Sequence, residues 1–157
     1  MSVKFLPEGI FLHGEDVTDS IESEQVGAIA STIAVYPELR AALLQSQRNC
    51  RRAPGLVADG RDMGTMVFPD ADLKIYLVAD VRKRAERRYK QLMKKGFSVK
   101  INGLIADLEA RDQRDLNRSH APLKPADDAI VVDSSDLDIE ETLAVVLEHW
   151  QDKCNQA

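Results

Sequence analysis

The sequence predicts an α/β fold built around a parallel sheet. Three short apolar segments, at residues 55–58, 73–78 and 129–132, each end in a loop that leads toward a helical pattern. Segments of this length that alternate with helices are typical of βαβ units, whose strands are covered on both faces. The length of 157 residues and the hydrophobic content of 44% are those of one ordinary globular unit.

The first third of the chain has a different pattern. Alternating apolar residues on either side of a Pro-Glu-Gly turn at 7–9 predict a small β-hairpin between Val3 and Thr18. A helix is expected from about Glu22, and Pro37 suits the first turn of a second helix that runs through Arg52. The apolar positions expected on these helices are Val26, Ile29, Ala30 and Ile33 on the first, and Leu39, Leu43 and Leu44 on the second.

Capping residues and helical periodicity in the sequence predict three further helices. Asp80 is expected to cap a helix that ends near Gly96, and an Asp138–Glu141 capping box opens the last helix. A helix between these two is expected from about residue 102 to residue 118. The predicted buried positions are Ala85, Tyr89 and Leu92 on the first of the three, and Ile139, Leu143, Val146, Leu147 and Trp150 on the last.

Composition restricts the classes of function. The apolar run 73–79 is too short to cross a membrane and the first residues do not resemble a signal peptide, so a cytoplasmic protein is expected. Cys50 and Cys154 have no metal-ligand spacing and are expected to be free thiols. Net charge is −5, yet residues 82–118 hold twelve Lys or Arg against five Asp or Glu. With aromatic residues at 5%, this favours a small anionic ligand over a nucleic-acid polymer.

The strongest candidate site follows the apolar segment at 55–58. Asp59, Arg61 and Asp62 stand there among glycines, and ligands of open α/β sheets bind beyond the carboxyl ends of the strands. A guanidinium can bind phosphate with two parallel hydrogen bonds. The alternative is a structural turn held by an Arg–Asp pair.

A second candidate lies on the helix expected at 102–118. Leu104 and Leu108 begin a stripe that continues with Arg111, Asp115 and Arg118, so one helical face changes from apolar to charged along its length. Arg114 lies close to the same face, and converging arginines suit a polyphosphate. An exposed helix with internal Arg–Asp pairs is the alternative.

A third, weaker candidate is Ser31 with Arg40. A hydroxyl and a guanidinium on consecutive helices could bind the polar edge of a base. Taken alone, this pair is more often structural.

These pieces occur together, and in this order, in one family: the chain resembles bacterial cytidylate kinase over essentially its whole length. The most specific matches are Asp-Gly-Arg-Asp-Met-Gly-Thr at 59–65 and the pattern Arg-Asp-x-Arg-Asp-x-Asn-Arg from Arg111 to Arg118. The resemblance implies the parallel-sheet fold of nucleoside-monophosphate kinases (P-loop kinases), here incomplete. Residues 1–53 would be a hairpin-plus-helices insertion that binds the monophosphate, and 54–157 a partial kinase core with a lid at about 94–103.

The resemblance also implies an activity and a set of site residues. The family transfers the γ-phosphoryl group of ATP to CMP or dCMP with Mg²⁺. Ser31, Arg40 and Asp62 would recognise cytosine, Arg111 and Asp115 would hold the sugar, and Arg61 and Arg118 would meet phosphate. Arg61, Arg111 and Arg118 would be catalytic; the ATP and lid arginines would be Arg84, Arg87, Arg88 and Arg114; Asp59 is a weak candidate for a metal ligand.

One family motif is absent from the 157 residues. No G-x-x-x-x-G-K-[ST] run occurs, and this loop is what cradles the β and γ phosphates of ATP. We therefore expect a fragment or truncated gene product whose uncovered sheet exposes apolar surface and favours association. The alternative to a kinase is a catalytically inactive module that binds CMP or completes another chain.

Overall fold

The computed structural model describes residues 3–21 and 23–156. The described strands are β1 Val3–Leu6, β2 Gly9–Leu12, β3 Glu15–Asp16, β4 Ile75–Val78 and β5 Ile130–Asp133. The described helices are α1 Thr18–Ile21, α2 Glu24–Ile33, α3 Pro37–Arg48, α4 Val81–Lys94, α5 Ile101–Leu116 and α6 Ile139–Gln156, with a π-helical turn at Met63–Val67.

The predicted hairpin is confirmed and is extended by a third strand. β1 pairs antiparallel with β2, and β2 pairs antiparallel with β3. Gly9 has φ of 152°, and a Cβ at this position would collide with the Thr18 hydroxyl, which accepts a 2.9 Å hydrogen bond from Ile10 N. A side chain is therefore excluded at Gly9 by both conformation and space. Glu22, where the sequence placed the start of the next helix, lies outside the described residues.

The α/β class is confirmed by a parallel pair of strands. β4 lies beside β5 in the register Ile75↔Ile130 to Val78↔Asp133. The strand predicted at 55–58 is wrong, because these residues form no strand and Val57 is 101% exposed. Strand propensity alone does not produce a strand, because the backbone must also form hydrogen bonds with a neighbouring strand. Among the described residues, no strand pairs with this segment.

Helices α4 and α5 pack on each other and form the buried core that the structure describes. Asp80 caps α4 as predicted, since its Oδ1 accepts from Arg82 N and Lys83 N. Ala85 and Leu92 of α4 are buried against Leu104 of α5. The predicted stripe of α4 is thus confirmed. The helix predicted at 102–118 is confirmed with an earlier end, at Leu116.

Helix α6 begins as predicted and turns a different face inward. The capping box forms, because Asp138 N donates to Glu141 Oε2 at 2.9 Å and Glu141 N donates to Asp138 Oδ1 at 2.8 Å. The predicted buried stripe is wrong except for half-buried Val146. Its other members are exposed: Ile139 86%, Leu143 54%, Leu147 46% and Trp150 44%. The half-buried face consists of Thr142, Val145, Val146 and His149.

Apolar exposure extends to the sheet. Leu77 of β4 is 55% exposed and Val131 of β5 is 58% exposed, so the expectation of a sheet covered on both faces is wrong. The expected exposure of apolar sheet surface is confirmed, and association through it stays a prediction.

In the first third of the chain, the helix expected through Arg52 ends at Arg48, and the predicted apolar side of α2 is also exposed.

Other sequence-level expectations concern thiols and membrane segments. Cys50 and Cys154 are exposed free thiols in the described part of the chain. No helix within residues 3–21 and 23–156 has the length and apolarity needed to cross a membrane.

The packing of α4 on α5 predicts the effect of a cavity. We expect Leu104→Ala to lower the free energy of unfolding by about 2–4 kcal/mol, because it removes a buried side chain from the core. Leu143→Ala, at an exposed position, should cost less than about 1 kcal/mol. Urea unfolding followed by circular dichroism measures both. Equal losses for the two variants would contradict this assignment of the core.

Candidate functional site

Seven residues that the sequence singled out line a single cavity of about 530 Å³. They come from α2, from α3, from the segment that leads into the π-helical turn, and from the second half of α5 and the residues after it. These seven are Ser31, Arg40, Arg61, Asp62, Arg111, Asp115 and Arg118. Sequence positions far apart are therefore brought to one place.

Asp62 joins two arginines across this cavity. Its Oδ2 accepts from Arg40 Nη2 at 2.6 Å, and its Oδ1 accepts from Arg118 Nη2 at 2.9 Å. The Arg118 side chain is 2% exposed and that of Asp62 is 12% exposed, so these charges are shielded from water. Removal of Asp62 would leave the poorly solvated Arg118 without its carboxylate, which is strongly unfavourable.

The π-helical turn fixes the backbone of Asp62. The Asp62 carbonyl accepts hydrogen bonds from Met66 N at 2.9 Å and from Val67 N at 3.2 Å. At Gly64 the backbone lies close to the side chain of Lys74, since a Cβ built there would be 3.3 Å from Lys74 Cδ. The turn that carries Asp62 is thus stabilised by hydrogen bonds from its own backbone amides, and the aliphatic part of the Lys74 side chain packs against it.

Two basic residues that the sequence did not indicate hold this turn in place. Arg48 Nε donates to Val67 O at 2.9 Å, and its Nη2 donates to Met66 O at 3.2 Å. Lys74 Nζ donates to Pro69 O at 2.6 Å and to both carboxylate oxygens of Asp128. Their partners are mostly backbone carbonyls, and no motif encodes such bonds, so sequence spacing could not identify them.

The other wall of the cavity is a buried carboxylate on α5. Asp115 is 2% exposed, and its Oδ1 accepts from Ser31 Oγ at 3.3 Å. Its Oδ2 lies 3.5 Å from Arg61 Nε and 4.0 Å from Arg111 Nε, yet it has no hydrogen-bond partner among the residues described. Arg111 Nε and Arg118 Nε are buried without a partner in the same set. Buried polar groups are nearly always paired, so this cavity has unused hydrogen-bonding capacity.

Asp112 was not among the predicted site residues, although it belongs to the Arg-Asp repeat. It connects the cavity to α4, because its Oδ1 accepts from Arg61 Nη1 at 3.5 Å and its Oδ2 accepts from Arg84 Nη2 at 2.6 Å. Asp112 thus links Arg84 to Arg61, which lines the cavity, whereas neither Asp112 nor Arg84 lines it.

The remaining predicted residues do not line the cavity. Arg87 donates to Ser134 and to Leu137 O after β5, and Arg88 Nη1 lies 3.4 Å from Gln91 Oε1. Arg114 Nε lies 3.4 Å from Ser31 Oγ, which is next to the cavity and distant in sequence from the expected lid. Asp59 lies in an exposed segment.

The described residues do not provide a metal site of their own. No group of three or more His, Cys, Asp or Glu side chains within 3–21 and 23–156 is arranged to hold a metal ion. Asp59, the predicted metal ligand, is therefore not part of a metal-binding cluster among these residues.

This α/β chain thus brings arginines and carboxylates together at one cavity, with Asp115 and Arg118 buried, an arrangement that suits a small phosphorylated ligand. The family profile named cytidylate kinase matches residues 1–152, so the chain belongs to the cytidylate kinase family.

Relatives named cytidylate kinase align with nearly all of the chain. That of Cupriavidus pinatubonensis is 54% identical over 148 residues, which are 94% of this chain and 67% of the relative. That of Bordetella bronchiseptica is 54% identical over 151 residues, or 96% and 68%. That of Aeromonas salmonicida is 53% identical over 148 residues, or 94% and 64%. The chain thus spans about two thirds of the length of the relatives that it matches.

The contact between Lys74 and Asp128 predicts a pH dependence of stability. The hydrogen bond donated by Lys74 lowers the pKa of Asp128 below its ordinary value of 3.8. A lowered pKa contributes stability above pH 3.8, and this contribution is lost as the pH falls through the folded-state pKa. We therefore expect Asp128→Asn to destabilise the chain at pH 7, with the difference from the wild type shrinking below pH 3.8.

Thermal unfolding between pH 7 and pH 3 measures this difference. Asp127→Asn, at the neighbouring exposed carboxylate, is the control. A loss from Asp128→Asn that stays constant over the whole pH range would contradict the role of its charge.

Proposed function

We propose that this chain supplies the monophosphate-binding site of a kinase that transfers the γ-phosphoryl group of ATP to CMP or dCMP, giving CDP or dCDP. The observation that carries the proposal is the cavity, where three buried polar atoms of Arg111, Asp115 and Arg118 have no hydrogen-bond partner among the described residues. Such atoms are accounted for if a polar ligand completes their hydrogen bonds. Membership of the cytidylate kinase family supports CMP as that ligand.

The charge of the cavity suits a phosphate monoester. Four guanidinium groups and two carboxylates line it, which leaves an excess of two positive charges over these six side chains. The guanidinium groups are those of Arg40, Arg61, Arg111 and Arg118, and the carboxylates are those of Asp62 and Asp115. A phosphate monoester carries between one and two negative charges near neutral pH and would balance this excess.

The base-recognition residues in this proposal are Ser31, Arg40 and Asp62. Both oxygens of Asp62 already accept from arginines, and a carboxylate oxygen has room for a second donor. An exocyclic amino group could therefore bind to Asp62 while the two arginines stay in place. A base that lacks this donor would leave the shared carboxylate without the added bond, which disfavours it.

The sugar and phosphate would lie toward α5 in this proposal. Asp115 and Arg111 would bind the sugar, and Arg118 and Arg61 would bind the phosphate. Phosphoryl transfer needs little covalent chemistry from the protein, so these side chains would act by orientation and by neutralising the charge that develops on the transferred group. The Mg²⁺ that would accompany ATP has no cluster of His, Cys, Asp or Glu ligands within residues 3–21 and 23–156.

We also propose the division into an insertion at 1–53, a partial core at 54–157 and a lid at about 94–103. The connection between α4 and α5 is exposed at residues 94–98, which suits a segment that closes over a nucleotide. Arg84, Arg87 and Arg88 stand on α4, the helix that leads into this connection. The proposed lid arginine Arg114 lies instead beside Ser31.

A second candidate is a module that completes another polypeptide without turnover of its own. It is favoured by the apolar side chains exposed on Val57, on Leu77 and Val131, and along α6. Apolar surfaces of this kind often mark interfaces between polypeptides.

Substitutions at Asp62 and Arg118 test the binding site. We expect Asp62→Ala and Arg118→Ala each to weaken CMP binding by at least about 100-fold, because Asp62→Ala leaves the buried Arg118 without its carboxylate and Arg118→Ala removes one of the two cations bonded to Asp62. Isothermal titration calorimetry measures the affinity, and circular dichroism monitors folding. Asp72→Ala and Arg52→Ala change exposed residues of the same types and should bind CMP normally. Normal CMP binding by both cavity variants would contradict the assignment of the site.

An activity assay separates the two candidates. In a coupled assay of ADP release with CMP and ATP, we expect the 157-residue chain to show no turnover above background. The reason is that its sequence has no G-x-x-x-x-G-K-[ST] loop to hold the β and γ phosphates. CMP binding should persist in calorimetry. Turnover by the chain alone would refute this expectation and the second candidate together.

A further inference from the structure

Asp112 stands at the junction of two arginines that belong to different parts of the chain. Its carboxylate lies between Arg61, which precedes the π-helical turn, and Arg84 of α4. The Asp112 side chain is 24% exposed, so the junction is at the edge of the cavity and remains within reach of water.

The two arginines are held to Asp112 with unequal strength. Arg84 makes a two-point contact, with Nη2 at 2.6 Å from Oδ2 and Nη1 at 3.4 Å from Oδ1, and its Nε donates to Ala79 O at 3.1 Å. Arg61 has two long contacts, at 3.5 Å to Asp112 and at 3.5 Å to Asp115. Moving Arg61 to another anion should therefore require less free energy than moving Arg84.

If Arg61 left Asp112 for another anion, Asp112 would still have a partner. If Arg61 turned toward another anion, the two-point contact with Arg84 would still neutralise the carboxylate. The usual penalty of breaking an ion pair, an uncompensated charge, is avoided in this arrangement.

We propose that Asp112 is a positioning residue that holds Arg61 at the edge of the cavity and competes for it with the phosphate group of a nucleoside monophosphate. This inference rests on the proposed function. A carboxylate and a phosphate bind the same guanidinium donors, so a phosphate that binds the Nη donors of Arg61 displaces its long contact with Asp112. The competition lowers affinity for the phosphate while it keeps Arg61 directed toward α5.

Neutralising Asp112 while keeping its shape tests the competition. We expect Asp112→Asn to bind CMP about two- to fivefold more tightly than the wild type, because the competing charge is gone. Binding of cytidine, which has no phosphate, should be unchanged. Calorimetry on the folded chain at one fixed salt concentration measures both affinities.

Two matched variants distinguish competition from a structural role. Asp112→Glu keeps the charge and should bind CMP within about twofold of the wild type. Asp107→Asn removes an exposed carboxylate from the same helix and should not change CMP affinity. If Asp112 only ties α4 to α5, Asp112→Asn should lower the melting temperature without tightening CMP, and that result would overturn the inference.

Inorganic phosphate separates this inference from the proposed function. If the wild type binds phosphate but no CMP, and Asp112→Asn tightens phosphate, the role of Asp112 stands and the nucleotide assignment fails. If the wild type binds CMP and Asp112→Asn does not tighten it, the role of Asp112 fails and the nucleotide assignment stands. A wild type that binds neither ligand refutes both.

Discussion

A carboxylate shared by two arginines holds the cavity together. Asp62 is bonded to Arg40 from α3 and to Arg118 from the segment after α5, so one side chain joins three stretches of the chain. Because these charges are largely shielded from water, loss of Asp62 would leave Arg118 as a buried charge without a carboxylate. The geometry of the cavity therefore depends on where the backbone places Asp62. The π-helical turn with its supporting residues fixes that place.

Helix α5 links this polar site to the apolar core. Leu104 is buried against α4, whereas Asp115, further along the helix, is buried in the cavity. Packing at one end thus orients the charged groups at the other, since a helix transmits its orientation along its length. The Arg84–Asp112 pair adds a polar contact between α4 and α5. Stability and site geometry are consequently coupled through a single helix.

Sequence reasoning succeeded where the physical cause is local and failed where burial depends on distant neighbours. The Asp80 cap and the Asp138–Glu141 capping box formed as predicted, because each bond joins residues within three positions of each other. The inward face of α6 was predicted wrongly, because the half-buried face of this helix includes the polar residues Thr142 and His149, and sequence periodicity does not say which face the rest of the fold covers. The strand expected at 55–58 failed for a related reason, since a strand needs a partner.

The sequence by itself determined the α/β class, the helices with their caps and the set of charged residues that could form a site. Its motifs also identified the family, because the spacing of charged residues at 59–65 and 111–118 is specific. Only the tertiary structure decided which charges pair, and it placed Asp112 between Arg61 and Arg84 and set Arg114 beside Ser31. The physical reason is that ion pairs depend on distances of a few ångströms between residues far apart in sequence, and chain folding alone sets those distances.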